Sequence, residues 1–343
     1  MTKSQTINVP TQLFYGTGAN DVWLKAMVHF EKSNDSRSHD SRLGKIVESL
    51  HANFNIADPR QRWVLSRRPA ISPAFAIAEI VWILSGSNDA EFLNFWNPAL
   101  PKFMGYDEYY HGAYGYRIRN QFVFDQLERA YQTLKKNPAT RQVVIQIWNS
   151  EKDFPDVDGS PMSADIPCNI CSMPKVRDGR LEWLQVMRSN DLYRGTPYNV
   201  IQFTTIQEVL AGWLGLELGA YHQISDSLHI YCSDLDELTY CDSFIPCNTD
   251  SLSLPKDKFD IVFKQLHASV RKLASKELTV NSFKSICSKI DLPIAYMNLF
   301  YICAADAARR HKWFEEMDQV AEKCTNRLLT MAWDNWKNRW KNR

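Results

Sequence analysis

Between residues 165 and 231 the chain reads as strand, turn, strand, apolar helix and strand. Residues beyond Pro167 run to Asp178-Gly179, and Leu181–Met187 follows as a strand. Two apolar runs joined by a short turn with glycine form a hairpin. Val200–Leu214 is a mostly apolar helix ended by Gly215, and Tyr221–Tyr231 returns as a strand. A helix that is apolar on most faces belongs in an interior. With 343 residues, 45% of them hydrophobic, the chain can bury a sizeable core in one large domain or two ordinary ones.

A second helix sharpens the constraint. After Pro73, residues Ala74 to Ser85 are apolar on nearly every face and hold one carboxylate, Glu79. A lone acid cannot stay charged and unpaired in a core. Either a backbone or arginine partner holds it, or its pKa is raised in a pocket wall and it moves protons. Elsewhere, Val22, Leu24, Met27, Val28 and Phe30 mark a helical stripe within residues 1–30. Residues 31–43 are polar and read as a surface loop, either a solvated connection or a site loop in which Arg37 or Arg42 meets an anion. Ser49–Ile56 alternates as a strand, and Asp89–Trp96 is a short helix. In the aromatic loop Tyr106–Tyr116, Gly112 and Gly115 present Tyr114 between them. A helix is expected over 122–136, a buried strand over 141–148 and an acidic loop over 149–165. From residue 256 onward only helices are read, at about 257–274, 281–290, 293–310 and 312–338.

Charge and cysteine usage exclude several classes. Forty basic against 39 acidic residues give a net charge of +1, so no global field favours nucleic acid or an anionic membrane. An anionic ligand must be met by a local cluster. The tryptophans and cations of residues 333–343 could stack on bases, but an amphipathic helix packing its tryptophans on the body is the better reading, and no nucleic-acid partner is expected. No apolar run reaches the roughly 18 residues of a membrane helix, and residues 1–10 lack a signal-peptide core. A cytoplasmic enzyme is the expectation. The eight cysteines are scattered, as free thiols would be. Cys168-Asn169-Ile170-Cys171 suggests a redox pair or half a zinc site, but no second pair stands at ribbon spacing, and no metal is expected.

The central stretch carries the chemistry. Cys168 follows a proline, and a thiol attacks only as a thiolate, which a nearby cation stabilises. Hairpin pairing can bring Arg188 to it. Asn199 opens a helix, and its amide suits an imide edge such as uracil. His229 and Tyr231 point to one side of a strand and can offer two polar groups to one ligand.

These residues occur in the order Pro167-Cys168-Asn169, Arg188-Ser189-Asn190-Asp191, Gly195-Thr196-Pro197-Tyr198-Asn199 and Ser225-Asp226-Ser227-Leu228-His229-Ile230-Tyr231. Upstream stand Glu79-Ile80-Val81-Trp82-Ile83-Leu84-Ser85-Gly86, Gly112-Ala113-Tyr114-Gly115 and Asn137-Pro138-Ala139-Thr140-Arg141-Gln142 with Trp148-Asn149. Together they resemble the thymidylate synthase family over roughly residues 45–240. The resemblance implies an α+β fold with a mixed twisted sheet on a buried central helix, and a homodimer formed sheet to sheet. Residues 1–245 would be the catalytic domain and 246–343 a helical C-terminal extension.

Carried over residue by residue, the resemblance makes Cys168 the nucleophile at C6 of a pyrimidine. It gives phosphate to Arg188, Ser189, an N-terminal arginine (Arg37 or Arg42) and Arg141, the last across a dimer interface. Asn199 would read the base, and His229 and Tyr231 would bind the sugar hydroxyl. Glu79 and Tyr114 would move protons. Asp191, and more faintly Trp96, would meet the co-substrate 5,10-methylenetetrahydrofolate. Some positions depart from the pattern. Asn169 stands for a histidine, Gln142 for an arginine and Arg194 for a leucine, and the closing apolar tail has no counterpart. The implied activity is thymidylate synthesis on dUMP. The alternatives are 5-hydroxymethylation of dUMP, dCMP or CMP, if water reaches the intermediate, and a non-catalytic nucleotide- or nucleic-acid-binding relative.

Overall fold

The structure is a computed structural model that describes residues 11–32, 37–41, 43–236, 239–241 and 244–340. Arg42 and residues 341–343 of the basic tail lie outside the described residues.

Alternating apolar residues build a seven-stranded mixed sheet. Its strands are β1 (Leu13–Gly16), β2 (Arg37–Ser41), β3 (Gly44–Ile56), β5 (Ile145–Gln146), β6 (Asn169–Arg177), β7 (Arg180–Asp191) and β8 (Glu217–Tyr231). Two short strands, β4 (Arg67–Arg68) and β9 (Thr239–Tyr240), pair separately. The sheet order is β1-β3-β8-β7-β6-β5, with β2 on β3. β3 and β8 are antiparallel, β8 and β7 parallel, and β7 and β6 form the expected hairpin.

Trp183, Gln185, Tyr221, Gln223 and Ser225 form the sheet's buried face, on which the helix Thr196–Leu214 packs. Gln207 of that helix donates to the carbonyls of Leu181 (2.9 Å) and Gly219 (3.2 Å), tying helix to sheet through buried polar groups. Gly215 ends the helix at φ +67°, a left-handed cap that suits glycine. The Glu79 helix, Pro73–Leu84, begins at Ser72, whose side chain accepts from Phe75 N, and packs on the central helix.

The C-terminal helices Lys256–Leu273, Ile294–Arg310 and Arg327–Lys337 also pack on the Glu79 helix. Their apolar residues join one continuous core with the sheet and central helix. A buried ion cluster pins the connecting segment. Glu208 meets Arg62 at 2.5 Å and Arg60 at 2.9 Å and accepts from Leu252 N at 3.2 Å. Among the described residues no helix is long and apolar enough to cross a membrane.

Several expected elements differ. The polar stretch read as a loop over 31–43 contains β2, a strand whose residues are all polar because its pairing with β3 holds it, not an apolar face. Within the first thirty residues a strand, β1, precedes the helix Ala19–Lys32. The strand expected over 141–148 is paired only at Ile145–Gln146. The helix expected from 122 starts at Gln126, where the Asp125 carboxylate caps Leu127 and Glu128 N–H groups. The helix expected over 312–338 is two, Phe314–Ala321 and Arg327–Lys337, because Asn326 caps the second by accepting from Leu328 and Leu329 N–H groups. The Tyr106–Tyr116 loop closes in one short helical turn, and Ser150–Asp153 is a turn of helix within 149–165.

Candidate active site

A cavity of about 650 Å³ opens at the end of β7 and β8. Cys168, Arg188, Ser189, Asp191, His229 and Tyr231 all line it. Hairpin register explains part of this meeting. Asn169 pairs with Met187, so Cys168 and Arg188 are neighbours on adjacent strands, joined by Arg188 N–H donating to Cys168 O at 2.9 Å. The Arg188 guanidinium donates to the carbonyls of Pro167 (2.9 Å) and Ile166 (3.1 Å) and lies 5.7 Å from the Trp148 ring. It is thereby held as a cation against the segment that carries the thiol.

Tyr114 reaches the same segment from the opposite layer. Burial first, and the Cys168 charge next, push its hydroxyl pKa well above the usual phenol range, while Asn169 and the Cys168 backbone bond to it. Its turn is tightly set. Gly112 N–H donates to Asp165 Oδ2 at 2.7 Å, and a Cβ on Gly115 would lie 2.2 Å from Ile83 O. Only glycine permits this approach to the Glu79 helix.

Asn169 is fully buried and accepts from Gln185 Nε2 at 2.8 Å. Gln185 Oε1 in turn accepts from Ser172 Oγ at 2.6 Å and Trp183 Nε1 at 3.2 Å. The asparagine that replaces the expected histidine is thus part of a buried polar chain beside Cys168, with its own Nδ2 left without a hydrogen-bond partner among the described residues.

Glu79 has no arginine partner among the described residues. Burial pushes its carboxyl up to about 8, opposed by a hydrogen bond from Gln202, and Oε2 is buried with no partner among the described residues. At neutral pH it holds its proton. Asn199 is buried in the first turn of the central helix, its amide close to Gly195. Asp191 Oδ1 accepts from Arg194 N (2.7 Å) and Tyr193 N (2.9 Å). Burial pushes the Asp191 carboxyl up and the His229 imidazole down, and both side chains line the cavity. Arg194, in place of the expected leucine, makes a forked ion pair with Asp234 at 2.6 and 3.0 Å and lies 4.6 Å from the Tyr231 ring, fixing that tyrosine.

Not every expected residue is present at the cavity. Trp96 is 1% exposed, stacked edge-on against Phe92 and Phe95, so its ring is core and cannot meet a co-substrate without unpacking the Ala90–Trp96 helix. Arg37 is exposed on β2 and Arg141 is exposed, neither lining the cavity, and Glu79, Tyr114 and Asn199 stand behind its wall rather than in it. Conversely, His39, Glu48 and Trp148 line the cavity and Asp165 supports it, although sequence reasoning assigned none of them a role and named Trp148 only within a motif. The available signals were weak: an acid on the solvent side of an alternating strand, and an acid two residues before Pro167.

A family model described as thymidylate synthase matches residues 28–294. The deoxyuridylate hydroxymethyltransferase of Bacillus phage SP01 is 38% identical over 232 residues, covering 64% of this chain and 59% of that relative. The deoxyuridylate hydroxymethyltransferase of Pseudomonas phage M6 is 32% identical over 175 residues, covering 50% and 48%. The thymidylate synthase of Clostridium beijerinckii is 30% identical over 165 residues, covering 48% and 59%. The chain thus spans about half to three-fifths of the length of the curated relatives it matches. With the family model covering most of its residues, and with Cys168, Arg188, Ser189, Asp191, His229 and Tyr231 at one cavity, the chain belongs to the thymidylate synthase family.

Proposed function

We propose that this protein transfers a one-carbon unit to C5 of dUMP and releases 5-hydroxymethyl-dUMP. The observation that carries the product is the comparison with SP01. A relative named deoxyuridylate hydroxymethyltransferase matches at 38% over 232 residues, longer and more similar than the thymidylate synthases at 30–33% over 165–175. The sequence alone leaned towards methylation, the commoner activity of the family.

The residues divide the work. Arg188 and Ser189 hold phosphate, and Arg188 favours the Cys168 thiolate. Cys168 adds to C6, which makes C5 nucleophilic. Asn199 accepts from N3–H and donates to a carbonyl of uracil, which selects it over cytosine. Tyr114, whose hydroxyl is kept protonated by burial, assists removal of the C5 proton by orienting the water that takes it, and Glu79, protonated at neutral pH, supplies one. Methylenetetrahydrofolate, the co-substrate, supplies the carbon, and the buried Asp191 carboxyl suits the donor edge of its pterin. Water adds to the exocyclic methylene on C5, Cys168 leaves C6, and tetrahydrofolate departs unoxidised.

A second copy completes the phosphate site. Leu13, Tyr15 and Ile224 are exposed on the sheet face away from the central helix, where a depression of about 620 Å³ lies. A dimer on that face would bring in Arg141 from the partner.

The test is product analysis with dUMP, and separately dCMP, plus methylenetetrahydrofolate. The expected result is a dUMP product heavier by one hydroxymethyl group and no absorbance from dihydrofolate. Thymidylate with stoichiometric dihydrofolate would replace this reading with methylation, and turnover of dCMP alone would overturn the substrate.

A further inference from the structure

One rung of the sheet crosses the cavity wall. Arg37, Glu48, His229 and Asp191 stand in direct register on β2, β3, β8 and β7. Paired residues across strands share a face, and Glu48, His229 and Asp191 all line the cavity. Glu48 is held in place by Ser227 Oγ, which donates to Oε1. Its Oε2 lies 3.9 Å from His39 Nδ1, beyond hydrogen-bond reach, and accepts no hydrogen bond among the described residues. Beside it, His229 is 8% exposed and its Nδ1 is buried with no hydrogen-bond partner among the described residues. The rung therefore presents an unspent acceptor on Glu48 to whatever fills the cavity, with the His229 ring, its Nδ1 turned inward, lining the wall beside it. Buried polar groups of this kind are expected to be satisfied.

Charge decides which part of a nucleotide this can be. A phosphate is drawn to Arg188 and Ser189 and repelled by a carboxylate, so it cannot sit at Glu48. A uracil ring offers one donor, N3–H, which Asn199 already addresses. A 2′-deoxynucleoside 5′-monophosphate has one further donor, its sugar hydroxyl. We propose that Glu48 is the specificity-determining residue for that hydroxyl, with Oε2 accepting its proton while His229 meets the same oxygen. This rests on the nucleotide reading of the site given above. An acceptor that is left unpaired when the hydroxyl is missing rejects the analogue strongly.

Calorimetric titration of dUMP and 2′,3′-dideoxyuridine 5′-monophosphate into wild type, Glu48→Ala and Glu48→Gln tests it without requiring turnover. Wild type is expected to bind the dideoxy analogue about 10- to 100-fold more weakly than dUMP, the range for a hydrogen bond to a charged group. Glu48→Ala should weaken dUMP by a comparable factor and leave the dideoxy affinity within about twofold, the signature of a pairwise interaction. Glu48→Gln keeps the shape and a carbonyl acceptor and should fall between the two. Equal losses for both nucleotides, or none for dUMP, would overturn the assignment. If Glu48→Ala does not fold, the near-isosteric Glu48→Gln and the wild-type comparison still decide. Failure of wild type to bind dUMP at all would instead remove the nucleotide reading itself.

Discussion

The backbone N–H of Arg188 donates to the carbonyl of Cys168 at 2.9 Å, so the proposed nucleophile and its cation are tied by one rung of the β6–β7 hairpin. Neither can move along the sheet without the other. Cys168→Ser keeps the size of the side chain and removes the thiolate. It is expected to lower kcat by about 10³-fold or more, with dUMP binding retained by calorimetry. Turnover within tenfold of wild type would remove Cys168 from the chemistry.

Glu79 sets a limit on the alkaline side. Its carboxyl is pushed up to about 8 by burial, so the proton is present below that pH and lost above it. The rate at saturating substrate should fall as pH rises through about 8. Glu79→Gln should lower it about 10²- to 10⁴-fold, the usual worth of a positioned acid or base, and abolish that limb. A residual activity that keeps the same alkaline limb would assign it to another group.

Asp165 couples stability to pH. Burial pushes its carboxyl up to about 6 from an ordinary 3.8, against the hydrogen bond from Gly112. The folded protein thus holds this proton more tightly than the unfolded chain. The contribution to stability is full below about 4 and is lost as pH rises through about 6. Asp165→Asn keeps an acceptor for Gly112 N–H and cannot ionise. Its melting temperature relative to wild type should rise from pH 4 to pH 6 and level off above, as differential scanning would read. A difference that stays flat across this window would refute the linkage.

The Arg117–Asp153 pair holds the loop before Cys168. Both residues are buried, at 1% and 2% exposure, with contacts at 2.6 and 2.8 Å, and His111 Nε2 adds a third bond to Asp153 at 2.8 Å. Arg117→Met leaves a buried carboxylate with one partner fewer, a loss of about 3–5 kcal/mol by the usual cost of breaking such a pair. Urea denaturation should show the midpoint falling with little change in slope. A shift under about 1 kcal/mol would mean that water reaches Asp153.

The parts of the site that were legible in the sequence are those whose residue type and neighbours are both local. Cys168 after a proline, Arg188 across a glycine turn, and His229 with Tyr231 on one strand face all depend on hairpin pairing or period-two alternation. Glu79 stood out because an acid inside an apolar helix has few physical excuses. Glu48 and Asp165 were not legible, because an acid on a half-exposed strand or in a polar loop looks like surface until the fold brings Ser227 or Gly112 against it. β2 was invisible for the same reason, since its only claim to being a strand is its partner. Trp96 came only from a faint resemblance, and a residue type at a matching place in sequence says nothing about which way an indole turns; here the ring is 1% exposed. Asn326 divides the last helices through a cap whose effect is hidden by apolar periodicity on both sides.

The cover on the Glu79 helix comes from Ile294–Arg310 and Arg327–Lys337, with Arg339 Nη1 reaching back to Ala70 O at 2.6 Å. During synthesis the segment bearing the acid emerges long before its lid of helices exists. A nascent chain that has already paired β3 with β8 still exposes one of its most apolar helices to water. The interval between translating β8 and translating these helices is therefore one in which an apolar helix face stands open to aggregation.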